Sequence, residues 1–378
     1  MNLPMLASGA PLMLEDVPAL QDEVRGLARR RGAVILAHNY QLPEIQDVAD
    51  YTGDSLGLSQ QAASADAETI VFCGVHFMAE TASILCPGKR VLIPDPGAGC
   101  SLADSITAAQ LGEWKARHPG AVVVMYVNTT AEVKAQSDYC CTSANAVRVV
   151  EQIYREHGED TEILFGPDMF LGAYVEKSLG RSMHVWDGEC HVHAGIRPDD
   201  ISAVRAAHPG ADFLIHPECG CSTSVMEYVA AGDLDPAGVR MLSTGGMLAY
   251  AQQRVGGVAP GGGANGGSTA TGGDDENGGG AGGCGGARSG GADCRGGATS
   301  AIVATETGML HALRKAAPGF EFVAANEAAH CRYMKMITLP KLRDALRDGV
   351  HEVKVPAQIA RRARVPIERM VAIGWPGG

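Results

Sequence analysis

Apolar and polar positions along this chain follow a rhythm that returns three times. Each round opens with Gly-Ala and a continuous apolar run that ends in polar residues. The three copies are Gly32-Ala-Val-Ile-Leu-Ala-His38-Asn-Tyr40, Gly120-Ala-Val-Val-Val-Met-Tyr126-Val-Asn128 and Gly210-Ala-Asp-Phe-Leu-Ile-His216-Pro-Glu218. A second run follows in each round: Ile70-Val-Phe-Cys-Gly, Ile163-Leu-Phe-Gly-Pro and Ile302-Val-Ala-Thr-Glu. The third run comes just after a glycine: Val91-Leu-Ile-Pro-Asp after Gly88, His184-Val-Trp-Asp after Gly180, and Phe322-Val-Ala-Ala after Gly319. Short unbroken apolar runs bounded by turn residues predict strands covered on both faces, as in parallel sheets. Helical stretches separate them, among them Pro43 to Ala49, Ala144 to His157 and Thr307 to Ala316. The pattern predicts an α/β fold of three pseudo-symmetric repeats, each a small parallel sheet sandwiched by helices, arranged around a central site.

The spacing supports real repetition. Gly32, Gly120 and Gly210 stand about 90 residues apart, and so do Cys100 and Cys190. The step from Cys190 to Cys331 is longer by roughly the length of one glycine-dominated stretch, Gly256 to Ala298. That composition buries too little apolar surface to offset its ordering entropy, so it reads as a flexible, disordered insertion between the first and second strands of the third repeat. Expected domains are 14–117, with an N-terminal helix, 118–207, and 208–355, interrupted at 256–298. A C-terminal helix and tail occupy 356–378. Helices are also expected at Leu14 to Arg31 and Pro356 to Ile373.

With 378 residues the chain has ample length for proper cores. The net charge of −12 and the lack of a basic block argue against nucleic acid as a partner. Met1 to Met13 lacks the charged start of a secretory signal, and no run has the length of a membrane span, so a cytoplasmic protein is the expectation. Eleven cysteines, an odd number, do not read as a disulfide framework.

Three of those cysteines, Cys100, Cys190 and Cys331, follow the third run of each repeat and so share one structural position. Equivalent positions of a repeat can converge on one point. The only close pairs, Cys140-Cys141 and Cys219-x-Cys221, are poorly spaced for zinc, whereas three distant thiolates suit an iron–sulfur cluster with one open iron. Cys73, Cys86, Cys140 and Cys141 read as small core residues. Cys284 and Cys294 lie in the insertion, which cannot preorganise a ligand site.

Ligands of open parallel sheets bind beyond the carboxyl ends of the strands. There the first runs end in three matched pairs, His38/Tyr40, Tyr126/Asn128 and His216/Glu218. A further set, Asp54-Ser55, Thr142-Ser143 and Ser243-Thr244, stands before helical patterns. These hydroxyls read as helix N-caps, as anion ligands, or as both.

The ordered set of motifs resembles the quinolinate synthase family, the A-type enzyme of bacterial NAD biosynthesis. It comprises His38-Asn-Tyr-Gln-x-Pro-Glu-Ile-Gln, Gly53-Asp-Ser-Leu-Gly-Leu-Ser, Phe72-Cys-Gly-Val-His-Phe-Met-Ala-Glu-Thr, Ala98-Gly-Cys-Ser-Leu-Ala-Asp, Tyr126-Val-Asn-Thr-Thr, Cys140-Cys-Thr-Ser-Ala-Asn-Ala, Cys190-His-Val-His, His216-Pro-Glu-Cys, Ser243-Thr-Gly-Gly-Met and Cys331-x-x-Met-Lys-x-Ile-Thr-Leu. The resemblance runs from about Arg30 to Leu346 and leaves out the insertion. It implies a [4Fe–4S] cluster on Cys100, Cys190 and Cys331, whose open iron acts as a Lewis acid. It also implies condensation of iminoaspartate with dihydroxyacetone phosphate to quinolinate, losing phosphate and two waters. An aspartate-oxidising enzyme would supply the iminoaspartate. By the same resemblance Tyr40 and Glu218 look like acid–base residues, and His38 stands with them at a catalytic position. Ser55, Tyr126, Asn128, Ser143, His193, His216 and Thr244 look like substrate contacts. Two rival readings are a hydro-lyase using open-iron chemistry on another small hydroxy acid, and a non-catalytic metal or redox protein.

Overall fold

Gly32, Gly120 and Gly210, which open the three rounds, all have positive φ (57°, 93° and 89°) in the computed structural model. That backbone state is strained for residues with a Cβ, which explains a glycine at the same turn three times over. The structure describes residues 16–222, 224–226, 238–255 and 298–374. Nearly all of the glycine-dominated stretch, with Cys284 and Cys294, lies outside the described residues, as does Met1 to Met13.

Each turn feeds a buried strand: β1 (Ala33–His38), β5 (Val122–Tyr126) and β9 (Asp212–Ile215). Their neighbours are β2 (Tyr51–Gly53), β3 (Thr69–Cys73) and β4 (Arg90–Leu92) in the first sheet. The second sheet adds β6 (Tyr139–Cys141), β7 (Ile163–Gly166) and β8 (His184–Val185). The third adds β10 (Val239–Met241), β11 (Ser300–Ala304) and β12 (Glu321–Ala324). The strand orders are β2-β1-β3-β4, β6-β5-β7-β8 and β10-β9-β11-β12, and every pairing is parallel. The expected fold class is therefore the observed one: three parallel α/β repeats of identical topology, each sheet flanked by helices.

The apolar pattern predicted three strands per repeat, and the structure has four. The strands it missed, β2, β6 and β10, are three residues long and lie at sheet edges, and β2 has two exposed residues. So short an element carries no periodicity. Ile35 and Val123 each donate a backbone N–H, at 2.8 Å, to Asp50 and Asp138, which stand just before or at the entry to these edge strands. β10 and its helix Thr244–Val255 precede the glycine-rich stretch in the sequence, which falls, as expected, between the first and second apolar strands of the third unit, β9 and β11.

The helix Asp16–Arg30 packs on β1 and on the helix Leu339–Asp348. The helix Ala357–Ile373 lies across the first and second units. It touches His76–Leu85 on one side and β6 with Ala131–Lys134 on the other. Asn145 Nδ2 donates to Met370 O at 3.0 Å, Arg369 to Asp138 O at 2.7 Å, and Arg364 to Ile84 O. Cys73, Cys86, Cys140, Cys141, Cys219 and Cys221 are all buried, as core thiols should be.

Candidate active site

In an order such as β2-β1-β3-β4, the loops leaving β1 and β3 run in opposite directions and open a crevice between them. The three crevices merge into a single cavity of about 690 Å³, counted with its mouth. Its lining includes every site residue expected from the sequence: His38, Tyr40, Ser55, Tyr126, Asn128, Ser143, His193, His216, Glu218 and Thr244, with Cys100, Cys190 and Cys331. Val75, Phe77, Met78, Val192 and Met334 add apolar wall.

The centre is a buried hydrogen-bonded cluster. Tyr40 Oη lies 2.5 Å from Thr305 Oγ1 and 3.2 Å from His193 Nε2, and Thr305 Oγ1 is 3.0 Å from that same nitrogen. The other imidazole nitrogen, His193 Nδ1, is 2.8 Å from Glu218 Oε2, and His216 Nδ1 is 3.6 Å from it. His193 and His216 stack with centroids 4.8 Å apart, and Ser143 Oγ lies 3.0 Å from His216 Nε2. Residues from all three units thus meet at Glu218.

Burial decides the charge states. It opposes the Glu218 carboxylate, yet His193 and His216 bring that pKa down to about 2. Burial also opposes charge on His193, but Cys190 and Glu218 outweigh it and hold its pKa well above the usual value. His38 falls to about 3, by burial and then by His216. Burial also takes His216 to about 3 despite Glu218. Tyr40 and Tyr126 are pushed well up, by burial first and then by Glu218. Near neutral pH these six groups therefore comprise one carboxylate–imidazolium pair, two neutral imidazoles and two neutral phenols. That set can donate and accept protons at several points around a small molecule.

Two oxygen atoms look inward. Asn128 Oδ1 and Glu218 Oε1 are buried without a well-formed hydrogen bond, and the Tyr126 phenol approaches the Glu218 carboxylate. Buried polar atoms are costly unless satisfied, so both are set for a ligand.

The hydroxyl set divides its labour. Asp54, not Ser55, caps the helix Ser55–Ser64, accepting Gly57 N–H at 2.8 Å. Ser243, not Thr244, accepts Gly246 N–H at 3.2 Å in the helix Thr244–Val255. Ser243 Oγ also donates to Asp54 Oδ2 at 3.3 Å, which brings the two helix starts together. Neighbours perform the capping, and Ser55 and Thr244 remain on the cavity wall; Thr244 Oγ1 accepts Asn39 Nδ2 at 3.1 Å. Among the described residues the lining contains no lysine or arginine; helix N-termini and hydroxyls are the groups in it that attract anions.

The cysteine loops also interlock. Ser101 Oγ meets His191 Nδ1 at 2.6 Å, and the His191 ring meets Tyr333 edge-on at 6.1 Å. Each interacting residue is within two positions of Cys100, Cys190 or Cys331. The three thiols are free, come from three different sheets, and are the only cysteines lining the cavity among the described residues. Burial pushes the Cys331 thiol up to about 11 and Cys100 higher still, with Cys190 adding to both. Burial raises the core thiols Cys73 and Cys140 as well, so what fits these three to a metal is their shared place on the cavity wall, where a metal would replace their protons. Three thiols without a fourth fit a cluster with one open position. The Cys190, His193 and Glu218 ligand atoms also lie within 4.8 Å of one another, which puts Cys190 at the border of thiols and acid–base cluster.

Sequence reasoning missed Thr305, Glu306 and Lys335. Glu306 Oε1 accepts Cys331 N–H at 3.0 Å and lies 3.0 Å from Lys335 Nζ, while Oε2 accepts Gly308 N–H at 2.7 Å. Lys335 Nζ also donates to Tyr40 O, so one buried carboxylate ties a cysteine loop to the Tyr40 loop. The signal was present: where the first two copies of the second run end in Cys-Gly and Gly-Pro, the third ends in Thr-Glu.

Three like α/β units that pool their strand ends in one cavity, with a buried acid–base cluster facing three free thiols, define an enzyme site with the donor set for a metal centre. A family model described as quinolinate synthetase A protein matches residues 22–257 and 294–372. A quinolinate synthase of Mycobacterium sp. (strain KMS) is 53% identical over 357 residues, 94% of this chain and 92% of the relative. Those of Mycobacterium tuberculosis (strain ATCC 25618 / H37Rv) and Mycobacterium leprae (strain Br4923) are 51% identical over 94% of this chain, and 89% and 88% of their own lengths. The chain belongs to the quinolinate synthase family, and so to the enzymes of NAD biosynthesis. The internal stretch left unmatched falls within the glycine-rich segment. No helix among the described residues is long and apolar enough to cross a membrane.

Proposed function

We propose that this enzyme condenses iminoaspartate with dihydroxyacetone phosphate to quinolinate, releasing phosphate and two waters, in the cytoplasm. The overall reaction balances without an oxidant or reductant, which suits a site built for proton transfer. The observation that carries the reading is the joining, in one cavity, of the three equivalent cysteines with Tyr40, His193 and Glu218. Each sheet with its helices is taken as one domain, 14–117, 118–207 and 208–355, with 356–378 appended.

Cys100, Cys190 and Cys331 are the residues that would hold a [4Fe–4S] cluster. Bound there, it would supply an open iron as Lewis acid for a substrate oxygen. The remaining roles belong to the chain's own side chains. Ser55, Ser143 and Thr244, at helix starts, would bind the substrates' carboxylates and phosphate. Asn128 Oδ1 would accept from a substrate donor. Glu218 would take protons from substrate carbon, with protonated His193 holding the carboxylate ionised and the Tyr126 phenol beside it. Tyr40, kept neutral by burial, would deliver a proton to a leaving oxygen, and Thr305 and His193 would fix its hydroxyl. His38 and Tyr126 would orient the reacting end from either side.

The test is quinolinate formation by anaerobically purified protein given dihydroxyacetone phosphate and freshly generated iminoaspartate. Product that disappears in Cys190→Ser, together with loss of bound iron, is the expected result. No product from protein carrying four irons would sink the reading and favour a hydro-lyase for another hydroxy acid, which a product screen on hydroxy acids would identify.

A further inference from the structure

At the opposite end of the second sheet, away from the cavity, two imidazoles and a carboxylate converge. His118 Nδ1 lies 2.6 Å and His184 Nε2 lies 2.7 Å from Glu162 Oε1. The two rings are 4.1 Å apart at their centroids and tilted by 46°. All three ligand atoms fall within 4.8 Å of one another, and all three side chains reach solvent.

Their backbones are well held. His118 closes the helix Ala108–Arg117, bonding by N–H to Lys115 O at 3.1 Å, and its carbonyl accepts Ala121 N–H at 3.2 Å. Glu162, just before β7, accepts Val122 N–H of β5 at 2.9 Å. His184 opens β8 and pairs with Leu164. Three separate connections thus present donors at the amino ends of three adjacent strands.

From this geometry we infer that His118, Glu162 and His184 form a binding site for one late divalent transition-metal ion, zinc above all. Two imidazole nitrogens and one carboxylate oxygen, open to water, match zinc's donor preference; calcium and magnesium favour oxygen ligands alone. Ligands about 2.1 Å from a tetrahedral zinc stand about 3.4 Å apart. The present 2.6 and 2.7 Å contacts would open by less than an ångström, which half-exposed side chains allow by small rotations. The bound ion would clip together the entries to β5, β7 and β8. It would act on the stability of the second unit and leave the chemistry at the strands' other ends alone.

The test titrates zinc chloride into cluster-loaded enzyme under anaerobic conditions, with iron content followed throughout. The site predicts one equivalent of zinc bound with iron unchanged, and a zinc-dependent rise in melting temperature. His118→Ala/His184→Ala should weaken binding at least tenfold and abolish the rise. Glu162→Gln, which keeps a hydrogen-bonding partner for both rings but removes the anionic ligand, should weaken it similarly. Equal zinc binding by wild type and the double variant would overturn the assignment. So would zinc uptake matched by iron loss, which would place the metal on the thiols, or an unweakened Glu162→Gln, which would leave a plain hydrogen-bonded trio.

Discussion

Thr305→Val removes one oxygen and nothing else of consequence. The side chain stays β-branched and close in shape, so the buried turn just after β11 keeps its form. What goes is the group that stands 2.5 Å from Tyr40 Oη and 3.0 Å from His193 Nε2. Tyr40 is left with His193 alone, at 3.2 Å. Losing a partner at a buried polar group costs about 1–3 kcal/mol. If that energy fixes the phenol in its proton-delivering pose, kcat for quinolinate should fall by about 5- to 150-fold. KM should change much less, because Thr305 is held behind Tyr40 and does not line the cavity. The assay is steady-state quinolinate formation on enzyme matched for iron content. Thr305→Ser restores the oxygen and should return most of kcat. A fully loaded Thr305→Val enzyme with wild-type kcat would refute the idea that this contact positions Tyr40.

Other perturbations reach different parts of the site. Glu306→Gln strips the charge that Lys335 faces and weakens the acceptor for Cys331 N–H; breaking a largely buried pair costs up to about 3 kcal/mol, discounted for partial exposure of Lys335. Iron retained after gel filtration should drop in this variant, and unchanged retention would separate Glu306 from the cysteine loop. Acid should destabilise the fold through His38 and His216. Their folded pKa values, about 3, lie below the unfolded 6.5, so their contribution is whole above pH 6.5 and is lost as pH falls toward 3. Each costs about 1.6 kcal/mol between pH 6.5 and 5, and denaturant unfolding at those two pH values should show it; a flat stability would count against both burials. His216→Gln should remove about half of that loss.

The parts of this molecule that were legible in the sequence are those where one physical demand repeats. Gly32, Gly120 and Gly210 are forced by a positive φ, and β1, β5 and β9 by burial on both faces, so the pattern recurs wherever the fold does. The cysteines and the strand-end pairs were legible because they inherit those positions. What stayed hidden serves only one copy. Thr305 and Glu306 stand where the other repeats have Cys73-Gly74 and Gly166-Pro167, and Lys335 acts through a carbonyl, so no recurrence marks them. The edge strands hid for another reason: three residues that pair on one side need no apolar signature. Asp54 and Ser243 show a third limit. Sequence offered a cap or an anion ligand for each hydroxyl, and only coordinates show the neighbour capping while Ser55 and Thr244 face the cavity.

Repetition explains the placement of this chemistry, and divergence explains its variety. Three copies of one strand end supply His38/Tyr40, Tyr126/Asn128 and His216/Glu218, so a single architecture delivers imidazole, phenol, amide and carboxylate to one point. Only one of the three copies carries an acid there. A second buried acid, Asp168, does feel Glu218: burial first and then that like charge push its pKa well above the usual carboxylate range, which leaves Glu218 as the carboxylate paired with His193. Among the described residues the lining also lacks lysine and arginine. A mobile ammonium near Glu218 would pair with its carboxylate. Helix starts attract anions without being able to swing onto the base, so a cavity bounded by them can admit an anion and still leave the carboxylate available.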